Sequence, residues 1–146
     1  MSFAAKLRRA PGRIAAGSFI LNSGLGKFSA DEQTAQGLHG AAVTAYPFLA
    51  KVEPKLFVKM LAAAETTVGA VLLAPIVPAG LAGLCLTGFS GGLLGLYART
   101  PALHDKYFRP TPAGVAIAKD MWLAAIGAGL VVDAALSESP VTRTED

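Results

Sequence analysis

Between Lys59 and Arg99 the chain holds thirty-nine consecutive residues with a single charged side chain, Glu65. The run is interrupted once, by Pro75-Ile76-Val77-Pro78-Ala79-Gly80. Two apolar helices joined by a tight turn fit this pattern, and a water-soluble fold does not. A helix needs ~20 apolar residues to cross ~30 Å of hydrocarbon, and each half of the run supplies about that many. Composition agrees. Charged residues make up 16% of the 146 residues, against about 25% in soluble domains, and the mean hydropathy is +0.49. The sequence predicts an integral membrane protein.

Several function classes are excluded at this level. The net charge is only +3, and no Arg/Lys ladder interleaved with aromatics appears, so nucleic acid is not an expected partner. Basic residues near membrane ends are expected to meet anionic lipid headgroups. The lone Cys85 cannot form an intrachain disulfide or a C-x-x-C pair. Two histidines without a Cys/His cluster argue against a zinc site. Gly24-Leu25-Gly26-Lys27-Phe28 lacks the spacing and the Ser/Thr of a phosphate loop. No Ser/His/Asp set is visible, and no haem, flavin or iron–sulfur ligand pattern occurs. An electron-transfer centre would therefore belong to a partner or to a diffusible quinone.

The expected fold is all-α: an integral membrane four-helix bundle with a short interfacial or re-entrant helix between spans 1 and 2. Spans are expected at about 11–28, 54–76, 79–97 and 113–136, forming one domain over 1–137, with a polar tail over 138–146. The basic N-terminus imitates a signal peptide, but Ser18, Asn22 and the glycines before Lys27 favour a retained first helix. That helix has an uncharged core of only thirteen residues, Ile14 to Gly26, so Arg13 and Lys27 must lie at opposite rims and snorkel. Pro11 would stand in its first turn. Ser29 with Glu32 reads as a capping box opening the short helix, and Tyr46, Phe48, Tyr97 and Trp122 as interfacial aromatics. Gly88/Gly92 and Gly91/Gly95 have small-xxx-small spacing, suited to close packing within the monomer first and to a homo-oligomer face second. Four spans put both termini on one side, and the N-terminal Lys6, Arg8, Arg9 and Arg13 favour the cytoplasm, although the opposite loops hold more basic residues.

Glu65 is the strongest chemical signal. A charge at the centre of a membrane helix costs ~2.5–3.5 kcal/mol on insertion scales. It must be protonated, paired, or facing a wet cavity. It reads equally as a proton or substrate group and as a structural interhelix hydrogen bond. Topology brings Asn22, Glu65, Lys119 and Asp120 towards one half of the bundle, with Lys119 or Arg99 as the expected counter-ion. Asp133 is expected to pair with Arg13 near the opposite rim. His39 reads as a satisfied interfacial residue, with proton relay as the lesser reading.

Three stretches together resemble DoxX-like membrane proteins. Residues 13 to 27, Arg13 through Asn22-Ser23-Gly24-Leu25-Gly26-Lys27, are similar to that family's first helix: Arg, an apolar run, a polar residue, then Gly-x-x-Lys. Glu65-Thr66-Thr67-Val68-Gly69 looks like its Glu-x-x-x-Gly helix, and Ala118-Lys119-Asp120 like its charged start of the fourth span. The resemblance implies a four-helix bundle in a bacterial cytoplasmic membrane. It also implies Arg13, Gly24, Lys27, Glu65 and Gly69 as family-pattern positions. Some relatives are subunits of thiosulfate–quinone oxidoreductases and others associate with redox-defence enzymes. The expected function is accordingly a membrane subunit or anchor for a redox partner docking on the 29–58 and 99–112 loops, not catalytic on its own. The alternatives are a quinone-linked oxidoreductase subunit, and a small proton-coupled transporter using Glu65. One departure is Asn22-Ser23, where relatives often carry His.

Overall fold

A computed structural model describes residues 3–138. Its helices are α1 (Phe3–Lys27), α2 (Glu32–Ala45), α3 (Pro54–Leu73), α4 (Ala79–Arg99), the single turn α5 (Val115–Ala118) and α6 (Asp120–Glu138). No β-strand occurs among the described residues. Three stretches are long and apolar enough to cross a membrane: Pro54–Leu73, Ala79–Arg99 and Val115–Ser137. Helix α1 is longer than any of them, but its five basic residues interrupt the apolar run. The tail expected over 138–146 lies outside the described residues, except for Glu138 at the end of α6.

Helix α1 begins at Phe3, eight residues before the expected start at 11. Pro11 is therefore inside the helix, where its missing N–H leaves one carbonyl of the ladder unbonded. Ion pairs hold the additional turns. Arg8 Nε donates to Asp133 Oδ1 at 2.9 Å, and Arg9 Nε donates to Asp133 Oδ2. This corrects the expected Arg13–Asp133 pair. Arg13 instead donates to the carbonyls of Val71, Leu72, Ala74 and Val77, at 2.7–3.1 Å. Those oxygens close α3 and begin the following turn, where helix carbonyls have no intrahelical partner. The guanidinium fork satisfies them together.

Helix α2 is capped by Asp31, whose Oδ1 accepts from Thr34 N at 2.8 Å. That hydrogen bond holds the Asp31 carboxyl below its ordinary range. Ser29, the expected cap, bonds Gly26 O instead. Glu32 stands in the first turn of α2 and pairs with Lys55 Nζ at 3.0 Å. Pro54 opens α3, with Glu53 accepting from the amides of Lys55 and Leu56.

The buried positions follow helical stripes. In α3 they are Val58, Ala62, Glu65, Gly69 and Leu72, spaced alternately by four and three. In α6 they are Asp120, Leu123, Gly127, Leu130 and Ala134, with the same alternation. Helix α1 packs along α3, and α4 along α6, far more closely than α3 meets α4 or α1 meets α6. Glycine sets both close seams. A Cβ on Gly69 would fall 2.7 Å from the backbone N of Leu21, and one on Gly24 2.7 Å from Thr66 N. Across the other seam, a Cβ on Gly83 would lie 2.6 Å from Gly127 O.

Of the glycines expected to pack, Gly88, Gly91, Gly92 and Gly95, the fold uses only Gly95 within the chain. A Cβ at Gly88, Gly91 or Gly92 would meet only open space. Gly95 lies against the Tyr46 hydroxyl, which donates to Gly92 O at 2.9 Å. The helix seam turns through about 100° per residue, and the face holding Gly80 and Gly83 is the one that meets α6. Outside the bundle stand Phe19, Met60, Leu81, Leu84, Trp122 and Leu136, each more than half exposed. Such a contiguous apolar exterior suits lipid.

A candidate polar site inside the bundle

Helix α3 continues past the end of α1, and α2 occupies the space that α1 leaves. Aromatic contact between His39 and Phe57 and the Lys55–Glu32 pair tie α2 to α3. Between α2, the end of α1 and the remaining helices lies a cavity of about 330 Å³. Its apolar walls include Phe19, Phe57, Phe89, Leu93 and Leu123. Its polar groups are Ser23, Lys27, Glu65, Lys119 and Asp120.

Glu65 is 6% exposed and ion-paired. Lys27 Nζ lies 2.8 Å from its Oε2 and 2.6 Å from Ser23 Oγ. The counter-ion is thus Lys27, not Lys119 or Arg99. Lys119 lines the cavity but is exposed, and its Nζ lies 5.6 Å from the centre of the Phe19 ring. Arg99 lies over the Tyr46 ring at 4.9 Å. A buried ion pair needs its remaining valences filled. Ser23 supplies one acceptor to the ammonium, and the cavity leaves the other carboxylate oxygen accessible to a ligand or water.

Asp120 is 7% exposed. Among the described residues, no hydrogen bond or ion pair reaches its carboxyl. It opens α6 on the stripe that faces the core, so helix geometry turns it inward. The charges of Lys119 and Lys27 act on that carboxyl, and it lines the cavity. Lys27, Lys119, Glu65 and Asp120 sum to zero formal charge, which suits a neutral ligand head with both donors and acceptors.

Three of the four residues expected to converge therefore do so: Glu65, Lys119 and Asp120. Asn22 does not; it faces outward. Its neighbour Ser23 takes the place, because Phe19, Ser23 and Lys27 repeat every four residues along one face of α1. That spacing was readable in the sequence. The wall contributed by α2 was not, since nothing local specifies where a short helix docks.

Arg13, Gly24, Lys27, Glu65 and Gly69 fall on the α1–α3 seam. Arg13 closes the end of α3, Gly24 and Gly69 permit close approach, and Lys27 meets Glu65. His39 is satisfied, its Nε2 2.9 Å from Leu49 O. Tyr97, expected at the interface, is buried and donates from its hydroxyl to Phe108 O at 2.9 Å. Among the described residues no group of His, Cys, Asp and Glu is placed to hold a metal. Comparison with family models, with curated proteins and with solved structures returns no match to this chain.

Proposed function

We propose that this chain is a DoxX-like, four-span membrane protein, with α1 as the fourth span. In this reading it serves as the membrane subunit of a redox assembly and holds the headgroup of a quinone-class amphiphile in the central cavity. The supporting observation is the shared cavity itself, lined by Asp120 and Lys119 together with the Lys27–Glu65 pair. A volume of about 330 Å³ lies at the small end of ligand pockets, ~300–1,000 Å³, and suits a ring-sized head. Aromatic walls and a few convergent polar groups are the usual makeup of such sites. The redox partner would dock on the loop side, through residues 29–58 and 99–112. Both termini would be cytoplasmic, and Gly88, Gly91 and Gly92 would be free for a second copy.

The test is extraction of the purified protein with organic solvent, followed by chromatography and absorbance for quinone. Roughly stoichiometric quinone is expected in the wild type and at most a tenth of it in Asp120→Leu. Absence of quinone, together with no binding of an added short-chain quinone, would refute the reading.

A proton-coupled transporter is the second reading, and one observation bears on it. Lys27 engages Glu65 directly, so the carboxyl available for proton exchange is Asp120 instead. Substrate-dependent proton uptake in liposomes that survives Glu65→Gln and disappears in Asp120→Asn would favour it.

A further inference from the structure

A second cavity, of about 240 Å³, lies on the outside of the bundle between α1 and α6. Ala15, Ala16, Trp122 and Ile126 line it, along with Phe19, Lys119, Asp120 and Leu123. The last four also line the central cavity. The two spaces therefore adjoin across those side chains. From this we propose that the ligand carries a long hydrocarbon tail, which lies in the α1–α6 groove and enters sideways from the bilayer past Phe19 and Lys119. The inference rests on the binding reading above and adds the ligand's shape and route.

Four features support it. The α1–α6 seam is among the loosest in the bundle, and α1 presents two alanines to it, so a groove remains where larger residues would close it. Phe19 and Trp122 are 51% and 72% exposed, which leaves the outer end uncovered by the chain. The groove is apolar except for Lys119 and Asp120, which it shares with the central cavity. The divider itself is light: Lys119 meets Phe19 through a cation–π contact at 5.6 Å, with no hydrogen bond to break. Polarity thus rises from lipid to cavity in the order an amphiphile needs, tail outermost and head innermost. The central cavity has room for a head and not for a chain. A tail must leave it somewhere, and this is the wall it shares with a lipid-facing groove.

The chain has one tryptophan, Trp122, and it lines the groove, so it reports on the tail directly. The protein in nanodiscs would be titrated with a benzoquinone ring alone and with the same ring bearing a decyl tail, using calorimetry. A decyl tail brominated midway would be followed by Trp122 fluorescence. The tailed ring is expected to bind at least tenfold more tightly than the ring alone, and the bromine to quench Trp122 with one-to-one saturation. Ala15→Phe, at an exposed position, fills the groove; it should abolish the tenfold advantage and leave the ring's affinity unchanged. Equal affinities for the two probes, or an Ala15→Phe protein that keeps the advantage, would overturn the lateral groove while the headgroup site stands. Failure of the ring itself to bind would remove the headgroup site, and this inference with it. The bromine measurement needs no variant, and non-saturating quenching would overturn the groove even if Ala15→Phe failed to fold.

Discussion

Lys27 reaches Glu65 from the last turn of its helix, with Nζ 2.8 Å from Oε2. The partners differ in their access to water: the lysine side chain is 20% exposed and the glutamate 7%. That asymmetry sets what each substitution does. Lys27→Met strands a buried carboxylate and should cost about 3–5 kcal/mol. Glu65→Gln leaves an ammonium that can swing to the rim, and should cost only about 1–2 kcal/mol. The double change Lys27→Met/Glu65→Leu should recover most of the loss. Denaturant titrations in mixed micelles, arranged as a double-mutant cycle, measure all three. Equal penalties for the two single variants would contradict the burial difference.

The glycines divide into two sets with opposite expected behaviour. Gly24→Ala and Gly69→Ala drive a methyl into the facing backbone and should each cost at least about 1–3 kcal/mol. Gly88→Ala and Gly91→Ala meet open space and should be neutral or gain up to about 1 kcal/mol from helix propensity. Thermal melts of the four proteins in one detergent separate the sets. If Gly88, Gly91 and Gly92 bind a second copy, the same alanines would leave melting of the monomer intact and lower the fraction cross-linked as dimer.

Much of this was legible in the residues themselves. The long uncharged run and its proline-bounded turn specify α3 and α4 almost to the residue, because hydrocarbon length and proline chemistry are local constraints. The start of α1 was not legible. Arg8 and Arg9 imitate the charged start of a signal peptide until Asp133, more than a hundred residues away, is brought beside them. The candidate site was half legible. Glu65 and Asp120 announce themselves as carboxyls on apolar stripes. Their partners depend on helix register, which Gly24 and Gly69 set by letting α1 and α3 approach. That register moves Glu65 next to Lys27. For the glycine pairs in α4, spacing identifies a face, and only the fold says that within the chain Gly95 alone of the four is covered, by Tyr46.

Arg13 is a structural clamp and not a general positive charge. It donates to four backbone carbonyls at the close of α3, using a planar fork that an ammonium cannot copy. Arg13→Lys should therefore cost about 2–3 kcal/mol although it preserves charge. Amide exchange measured by mass spectrometry should quicken in 71–77 and stay unchanged in 54–61. A silent Arg13→Lys would mean that charge alone suffices at this position.

Asp133 joins the beginning of the chain to its last helix. It accepts from Arg9, whose side chain is 3% exposed, and from Arg8, which is 57% exposed. The exposed pair should contribute little, and Arg8→Ala should change stability by no more than about 1 kcal/mol. Asp133→Asn is different, since it leaves the buried guanidinium of Arg9 without its carboxylate. Asp133 is itself 27% exposed, which lets water offset part of the loss, so the cost falls below that of stranding a fully buried charge. The damage should be local: amides of 3–10 should exchange at least tenfold faster, while those of 16–24, held by the glycine seam with α3, should not. Restoring the pair with opposite sign, Arg9→Asp with Asp133→Arg, should return part of the protection to 3–10. Uniform acceleration along all of α1 in Asp133→Asn would show that its first turns and the turns seamed to α3 open as one unit.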